Sequence, residues 1–241
     1  MKIGFYDSGV GGLMVLREVF RIKGCFDVVY LGDLANFPYG NKSKEELLVI
    51  GRKGIKFLIS KGADMIVVAC NTLSTVVGND LKAISNVPTF LITEWIGELN
   101  IYRDNLIVIG TEATIKSGYY QQILNARGIS TPKLAEFVEG GIWEGEIVEN
   151  YINSLLPRDE YTLLLACTHY TALKETIKRI RPNVEIIDIS QIFADFFSKK
   201  LKNSGGGKVE IFFTLNREGY DGIIKRLNFP CEVVINYINP L

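Results

Sequence analysis

The chain has 241 residues, with 27 Lys and Arg against 27 Asp and Glu, so its formal net charge is zero at pH 7. This balance provides no overall field that would attract nucleic acid or an anionic membrane, and neither is expected as a partner. No apolar run approaches the roughly 18 residues of a membrane span, and the first residues lack a signal-peptide pattern, so we expect a cytoplasmic protein.

Short apolar runs alternate with longer amphipathic segments along the chain. Strands are predicted at residues 2–6, 27–31, 64–69, 88–92, 106–110, 133–138, 161–166, 184–189, 209–213 and 232–235. Helices are predicted at residues 12–22, 43–60, 73–84, 113–126, 144–156, 171–181 and 191–201, the second of them starting with a capping box of Ser43 and Glu46. This alternation predicts an α/β fold with mainly parallel sheets.

The two halves of the chain resemble each other. The run 66–72 (IVVACNT) matches 163–169 (LLLACTH), and each is an apolar strand that ends in Ala-Cys before a helix. Weaker matches follow the same order, pairing 6–8 with 108–111, 29–33 with 137–139, and 88–93 with 184–190. We interpret the repeat as two similar α/β units.

The units imply a division of the chain into domains. A hinge is expected near residues 94–105, and the run SGGG at 204–207 is typical of a flexible linker. The tail after this linker is expected to return to the first unit. The predicted domains are residues 1–95 with 206–241, and residues 96–205.

Cys70 and Cys167 occupy equivalent positions in the repeat, where a strand ends and a helix begins. Ligands of α/β proteins bind at this edge of the sheet, and a helix N-terminus is expected to lower the pKa of each thiol. Either cysteine alone could be a core residue. As a pair facing one cleft, they are the two similar acid–base groups needed to invert a carbon that carries a proton.

Polar residues at other strand ends are further candidates. The turn 7–12 (DSGVGG) permits close approach of a ligand but lacks the spacing of dinucleotide and P-loop motifs. His169, two residues from Cys167, is predicted to orient or protonate a group near that thiol. Asn71, Thr72 and Thr168 can cap helices or bind substrate.

The remaining cysteines, Cys25 and Cys231, lack the strand-end context and are interpreted as packing residues. No two cysteines have C-x-x-C spacing and the chain has one histidine, so no metal site is expected. Cysteines this far apart favour a reducing compartment over a disulfide framework.

In combination, these motifs resemble those of glutamate racemases. The matching segments are 7–12 (DSGVGG), 32–33 (GD), 38–40 (PYG), 42–43 (KS), 69–72 (ACNT), 110–111 (GT), 113–117 (ATIKS) and 167–170 (CTHY). The resemblance implies two flavodoxin-like α/β domains with mainly parallel sheets and an active site in the cleft between them. It also implies catalysis without pyridoxal phosphate or another cofactor, supply of D-glutamate for peptidoglycan, and a homodimer.

The resemblance assigns roles by position. It implies that Cys70 and Cys167 are the catalytic thiols and that Asp7 and His169 support them. The substrate-binding residues it implies are Asp7, Ser8, Tyr39, Gly40, Asn71, Thr72, Thr168 and His169, with Thr114, Glu139 and Asp33 as weaker candidates.

The chain departs from the family pattern at three positions. They are Asn36 in place of arginine, Leu73 in place of alanine and Thr171 in place of proline. None of the three replaces a thiol, so the expected type of reaction is unchanged, while substrate range, oligomer contacts and regulation are left open.

Other functions are compatible with parts of the pattern. A racemase of aspartate or another small acid would share both thiols, whereas a decarboxylase needs only one. A module that binds a small anion between two lobes would need neither. A cysteine hydrolase built on Cys167 and His169 would leave Cys70 without a role.

Overall fold

A computed structural model describes residues 1–99, 105–201 and 207–241, so residues 100–104 of the predicted hinge and 204–206 of the predicted linker lie outside it. The strands are β1 (Ile3–Asp7), β2 (Val28–Gly32), β3 (Met65–Val68), β4 (Thr89–Leu91), β5 (Leu106–Gly110), β6 (Arg127–Ser130), β7 (Thr162–Ala166), β8 (Glu185–Asp188), β9 (Lys208–Phe213) and β10 (Glu232–Tyr237). The helices are α1 (Gly11–Lys23), α2 (Lys44–Ser60), α3 (Asn71–Val76), α4 (Gly78–Ile84), α5 (Glu112–Lys116), α6 (Tyr119–Leu124), α7 (Pro132–Glu139), α8 (Glu146–Leu155), α9 (Lys174–Ile180), α10 (Ile189–Lys200) and α11 (Tyr220–Leu227).

The strands form two parallel sheets. Their orders are β10-β9-β2-β1-β3-β4 and β6-β5-β7-β8. Both contain a four-strand unit of the same order, in which β1 corresponds to β5, β2 to β6, β3 to β7 and β4 to β8. This topology confirms the predicted α/β fold and the equivalence of the two Ala-Cys segments.

The central strands form from short apolar segments that are buried in the fold. Every residue of β1, β2, β5 and β7 is buried, as expected for strands covered by helices on both faces. The capping box before α2 is present, with Ser43 accepting from Glu46 N and Glu46 accepting from Ser43 N. Caps of this kind contribute about 1 kcal/mol. No helix in the described ranges is long and apolar enough to cross a bilayer.

One predicted strand is wrong. Residues 133–138 lie in helix α7, which begins at Pro132 and buries Leu134, Ala135 and Val138 on one face. The spacing of these apolar residues is helical, and proline is favoured in a first helical turn. The counterpart of β2 is therefore β6, which sequence reasoning missed, and the proposed match of 29–33 with 137–139 is wrong.

The tail after residue 206 joins the first sheet. Strand β9 pairs with β2, and β10 pairs with β9 at the sheet edge. This arrangement is the one expected for a tail that returns to the first unit, while the exact residue limits of the two domains remain a prediction.

A disulfide fixes the tail and corrects the interpretation of two cysteines. Cys25, just after α1, is bonded to Cys231, just before β10, with Cα atoms 6.0 Å apart. They are not simple packing residues. The pairing was hidden because the residues are 206 positions apart and meet only when the tail returns to β2.

We expect that replacing both Cys25 and Cys231 by serine lowers the free energy of unfolding by about 2–5 kcal/mol, because the bond restricts the unfolded chain. Turnover in the folded state should be retained. Denaturant titrations of the wild type with and without reductant provide the comparison, since the reduced wild type should match the double variant. Equal stability of all forms would show that the bond does not contribute.

Candidate active site

A cavity lies between the carboxyl ends of the two sheets. Its empty volume, including the part that is open to solvent, is about 580 Å³. Its lining consists of Ser8, Phe37, Pro38, Tyr39, Gly40, Asn41, Cys70, Asn71, Thr72, Thr111, Glu112, Pro132, Ala135, Glu136, Cys167, Thr168 and His169. Residues of both repeat units thus share one cleft.

The two free cysteines face this cavity from equivalent strand ends. Cys70 follows β3 directly before α3, and Cys167 follows β7 directly before the 3₁₀ segment Thr168–Leu173. They are 4% and 5% exposed and form no disulfide. Both thiols are therefore almost completely buried in the wall of a cavity that opens to solvent.

Burial raises the pKa of the Cys70 thiol well above its ordinary value, and the negative charge of Asp7 raises it further. The backbone N–H of Leu73 and the hydroxyl of Ser8 donate hydrogen bonds to the sulfur, which only partly offset these effects. The prediction of a lowered pKa is wrong for Cys70, since burial and the charge of Asp7 outweigh the hydrogen bond from the Leu73 backbone N–H at the start of α3.

Cys167 lies beside the histidine. Its Sγ is 3.8 Å from Nδ1 of His169, and Nε2 of His169 lies 2.5 Å from Oε2 of Glu139. Burial lowers the pKa of His169, but hydrogen bonds to Cys167 and Glu139 outweigh it and hold the pKa well above the ordinary value. A protonated imidazole stabilises a neighbouring thiolate.

Asp7 lies beneath the cavity wall and not in its lining. Its Oδ1 accepts from Gly9 N at 3.0 Å and its Oδ2 from the Thr168 hydroxyl at 3.2 Å, so it organises the turn and does not cap α1. Burial raises its pKa to about 6, although the positive charge of His169 acts in the opposite direction. Asp7 thus acts on Cys70 through its charge and contacts Thr168, the residue that follows Cys167.

The glycine-rich turn explains how the halves approach so closely. A Cβ at Gly11 would lie 2.3 Å from Oγ1 of Thr168 and 2.5 Å from Nδ1 of His169. A Cβ at Gly9 would lie 2.2 Å from Oε2 of Glu139. Glycine is required here because any side chain would displace the acid–base groups of the second unit.

Glu139 and Asp33, two of the weaker candidates for the substrate site, lie behind the cavity wall and not in its lining. Glu139 accepts from Val10 N and from His169, and Asp33 holds the loop that carries Tyr39. The Asp33 carboxylate accepts from the hydroxyls of Tyr39 at 2.7 Å and Thr214 at 2.8 Å, and from the amide of Asn36 at 2.8 Å.

Threonines of the two halves meet at the cavity wall. Oγ1 of Thr72 lies 2.8 Å from Oγ1 of Thr111, which in turn donates to Oγ1 of Thr114 at 3.0 Å. Thr114 is fully buried and does not line the cavity, whereas Thr111, which sequence reasoning missed, does. Its N-cap position before α5 is a signal that could have identified it.

Only one of the two polar atoms of the Asn71 side-chain amide has a hydrogen-bond partner in the described part of the chain. Its Oδ1 accepts from the Tyr120 hydroxyl, while its buried Nδ2 has no hydrogen-bond partner within the described part of the chain. A buried donor without a partner costs about 1–3 kcal/mol, so a ligand that supplies an acceptor gains that energy.

Known proteins match the chain along most of its length. A glutamate racemase of Aquifex aeolicus is 39% identical over 238 residues, which cover 93% of each chain. The structure of glutamate racemase from Thermus thermophilus in complex with β-chloro-D-alanine has a TM-score of 0.87 and 30% identity, covering 99% of this chain and 96% of that one. A Francisella tularensis glutamate racemase in complex with D-glutamate has a TM-score of 0.83 and 26% identity, covering 98% and 97%. No model of a protein family matches the chain.

Two similar α/β units with paired thiols at one cleft, together with these relatives, define an amino-acid racemase, which is an isomerase. Within that class, identity of 39% over 93% of the chain shows that it belongs to the glutamate racemase family.

Proposed function

We propose that this chain interconverts L- and D-glutamate by two-base proton transfer at the α-carbon, without a cofactor, and supplies D-glutamate for peptidoglycan. The observation that carries the proposal is the pair of free, buried thiols at equivalent strand ends of one cavity. Relatives named glutamate racemase, one of them solved with D-glutamate, support the choice of substrate.

In the proposed reaction, one cysteine thiolate removes the α-proton and the other cysteine thiol delivers a proton to the opposite face. The roles exchange in the reverse direction. The charge of Asp7 makes Cys70 a stronger base, and the imidazolium of His169 can donate to a thiolate at Cys167. Hydrogen-bond donors around the cavity stabilise the charge that develops on the substrate carboxylate.

The test is proton NMR with polarimetry on L-glutamate in deuterated water, without added cofactor. Loss of the α-proton signal together with decay of optical rotation is expected. Turnover of L-aspartate alone under the same conditions would overturn the substrate assignment. Loss of neither signal would overturn the activity.

We propose that Asn71 binds the substrate through its free Nδ2. Replacing Asn71 by leucine is expected to raise KM for glutamate about 10- to 100-fold, because a hydrogen bond to a charged group contributes about 1.5–3 kcal/mol. Steady-state kinetics and calorimetric binding of D-glutamate measure the effect. An unchanged KM in a folded variant would contradict this role.

A homodimer, implied by the family resemblance, and a cytoplasmic location are also proposed. Light scattering after size exclusion tests the first. Disulfides are uncommon in the reducing cytoplasm of mesophiles. Trapping free thiols in intact cells therefore tests the location, because Cys25 and Cys231 should be trapped as free thiols if the protein is in such a cytoplasm.

A further inference from the structure

A tyrosine of the tail reaches the acid–base groups of the second unit. Tyr220 begins α11 and is 1% exposed, and its hydroxyl donates to Oε1 of Glu139 in α7. Its ring packs edge-on against Phe213 at a centroid distance of 5.1 Å. Tyr220 does not line the cavity, so any effect on the reaction must pass through Glu139.

Three donors converge on the Glu139 carboxylate. Besides the Tyr220 hydroxyl, they are Val10 N, which lies 3.2 Å from Oε1 and 3.1 Å from Oε2, and Nε2 of His169, which lies 2.5 Å from Oε2. Because Val10 and His169 belong to different units, the carboxylate is held from both sides. Tyr220 adds a third anchor from the tail.

The orientation of Glu139 determines which nitrogen of His169 faces the thiol. With the Nε2 proton directed at Glu139, Nδ1 remains for Cys167, whose Sγ is 3.8 Å away. Asp7 at the end of β1 is a further charged group that faces His169, and Arg217 faces Tyr220 from the tail. The ring of Phe37 covers the imidazole at a centroid distance of 5.7 Å.

We propose that Tyr220 is a positioning residue for racemisation, which holds Glu139 so that His169 presents Nδ1 to Cys167. The proposal rests on the proposed acid–base role of Cys167. Through Glu139 and His169, Tyr220 then affects proton transfer at Cys167, one thiol of the pair.

The single histidine of this chain allows a test that is independent of activity. In protein labelled with nitrogen-15 histidine, Nδ1 and Nε2 of His169 give the only imidazole signals, and their shifts report tautomer and protonation. Tyr220→Phe retains the ring and removes the hydroxyl, so Glu139 loses an anchor that aligns it with Nε2 of His169. This loss of alignment should outweigh the greater basicity of a carboxylate with one donor fewer, so the His169 pKa is expected to fall and the Nε2-protonated form to lose population. Tyr237→Phe is the matched control, since Tyr237 is a tail tyrosine whose ring also packs on Phe213.

Steady-state kinetics then test whether the change at the His169 imidazole affects racemisation. Tyr220→Phe is expected to lower kcat/KM about threefold to tenfold, the loss of roughly one hydrogen bond, and to move the alkaline limb of the pH profile to lower pH. Slower transfer at Cys167 should raise the α-deuterium isotope effect for the enantiomer that Cys167 deprotonates and lower it for the other. In a Glu139→Gln background the effects of Tyr220→Phe should disappear.

A merely structural role would reduce stability while leaving the isotope effects and the His169 titration unchanged. That result, or equal changes in Tyr237→Phe, would overturn the role of Tyr220. Retention of turnover by Cys167→Ser, by contrast, would overturn the proposed function itself, even if Tyr220→Phe shifts the imidazole titration.

Discussion

Replacing either Cys70 or Cys167 by serine is expected to reduce racemisation of glutamate roughly 10³-fold, the range of a lost general acid or base. A serine hydroxyl occupies the same position but does not supply an anionic base near neutral pH. Because the two enantiomers have equal free energies, the loss of kcat/KM must be equal in both directions, whichever thiol is removed. A mechanism with one essential thiol predicts loss in only one of the two variants.

Circular dichroism starting from each enantiomer measures this loss. The matched control is the double variant Cys25→Ser with Cys231→Ser, which removes the same number of sulfur atoms as both catalytic substitutions together but lies at the disulfide. Binding of D-glutamate by calorimetry should persist in the single variants, since the cavity and Asn71 are unchanged. Retention of more than about a tenth of wild-type turnover by either variant would contradict the two-thiol mechanism.

The positions of Cys70 and Cys167 could be predicted from the sequence because they depend on a local pattern of apolar and polar residues. Strands β3 and β7 are short, largely buried apolar runs, and each leads through alanine to a cysteine before a polar helix start. Parallel strands place their carboxyl ends at one edge, so two equivalent cysteines in two units imply one shared cleft. The threonine, asparagine and histidine that follow the cysteines were predictable for the same reason.

Strand β6 was not predicted, and helix α7 was predicted as a strand, because the hydrophobic patterns of these two segments are weak or ambiguous. Residues Arg127–Ser130 contain one large apolar side chain and no fully buried residue, so the periodicity of an edge strand is lost. The following segment is rich enough in Leu, Phe and Val to resemble a strand. Its helical spacing became decisive only together with Pro132.

The long-range connections could not be predicted from spacing. The Cys25–Cys231 bond, the contact of Thr214 with Asp33 and that of Tyr220 with Glu139 all depend on where the tail lies. The pKa of Cys70 was mispredicted for a related reason, since burial and the charge of Asp7 arise from tertiary structure.

Replacing Asp7 by asparagine is expected to increase stability while reducing activity. The pKa of Asp7 is raised by burial from 3.8 to about 6 in the folded chain. Between about pH 4 and pH 6 the native state retains a proton that the unfolded state has released, so stability falls as pH rises through this window. Above it, the buried charge costs up to roughly 3 kcal/mol.

Asparagine avoids this cost and keeps the local geometry. Its Oδ1 can still accept from Gly9 N, and its amide can donate to the Thr168 hydroxyl. The stability difference between variant and wild type should therefore be near zero at pH 4 and largest at pH 7, which denaturant titrations across this range measure. Parallel stability curves would contradict the assignment of a titrating Asp7.

The same substitution should lower kcat roughly 10²-fold, because it removes a fixed charge beside Cys70 and Thr168. Wild-type activity is expected to fall below about pH 6 as Asp7 takes up its proton, and this acid limb should be absent in Asp7→Asn. A variant that gains stability at neutral pH and loses turnover would show that the buried charge is retained for catalysis at the expense of the fold. A variant that keeps full turnover would show that the ionised carboxylate is not needed by either thiol.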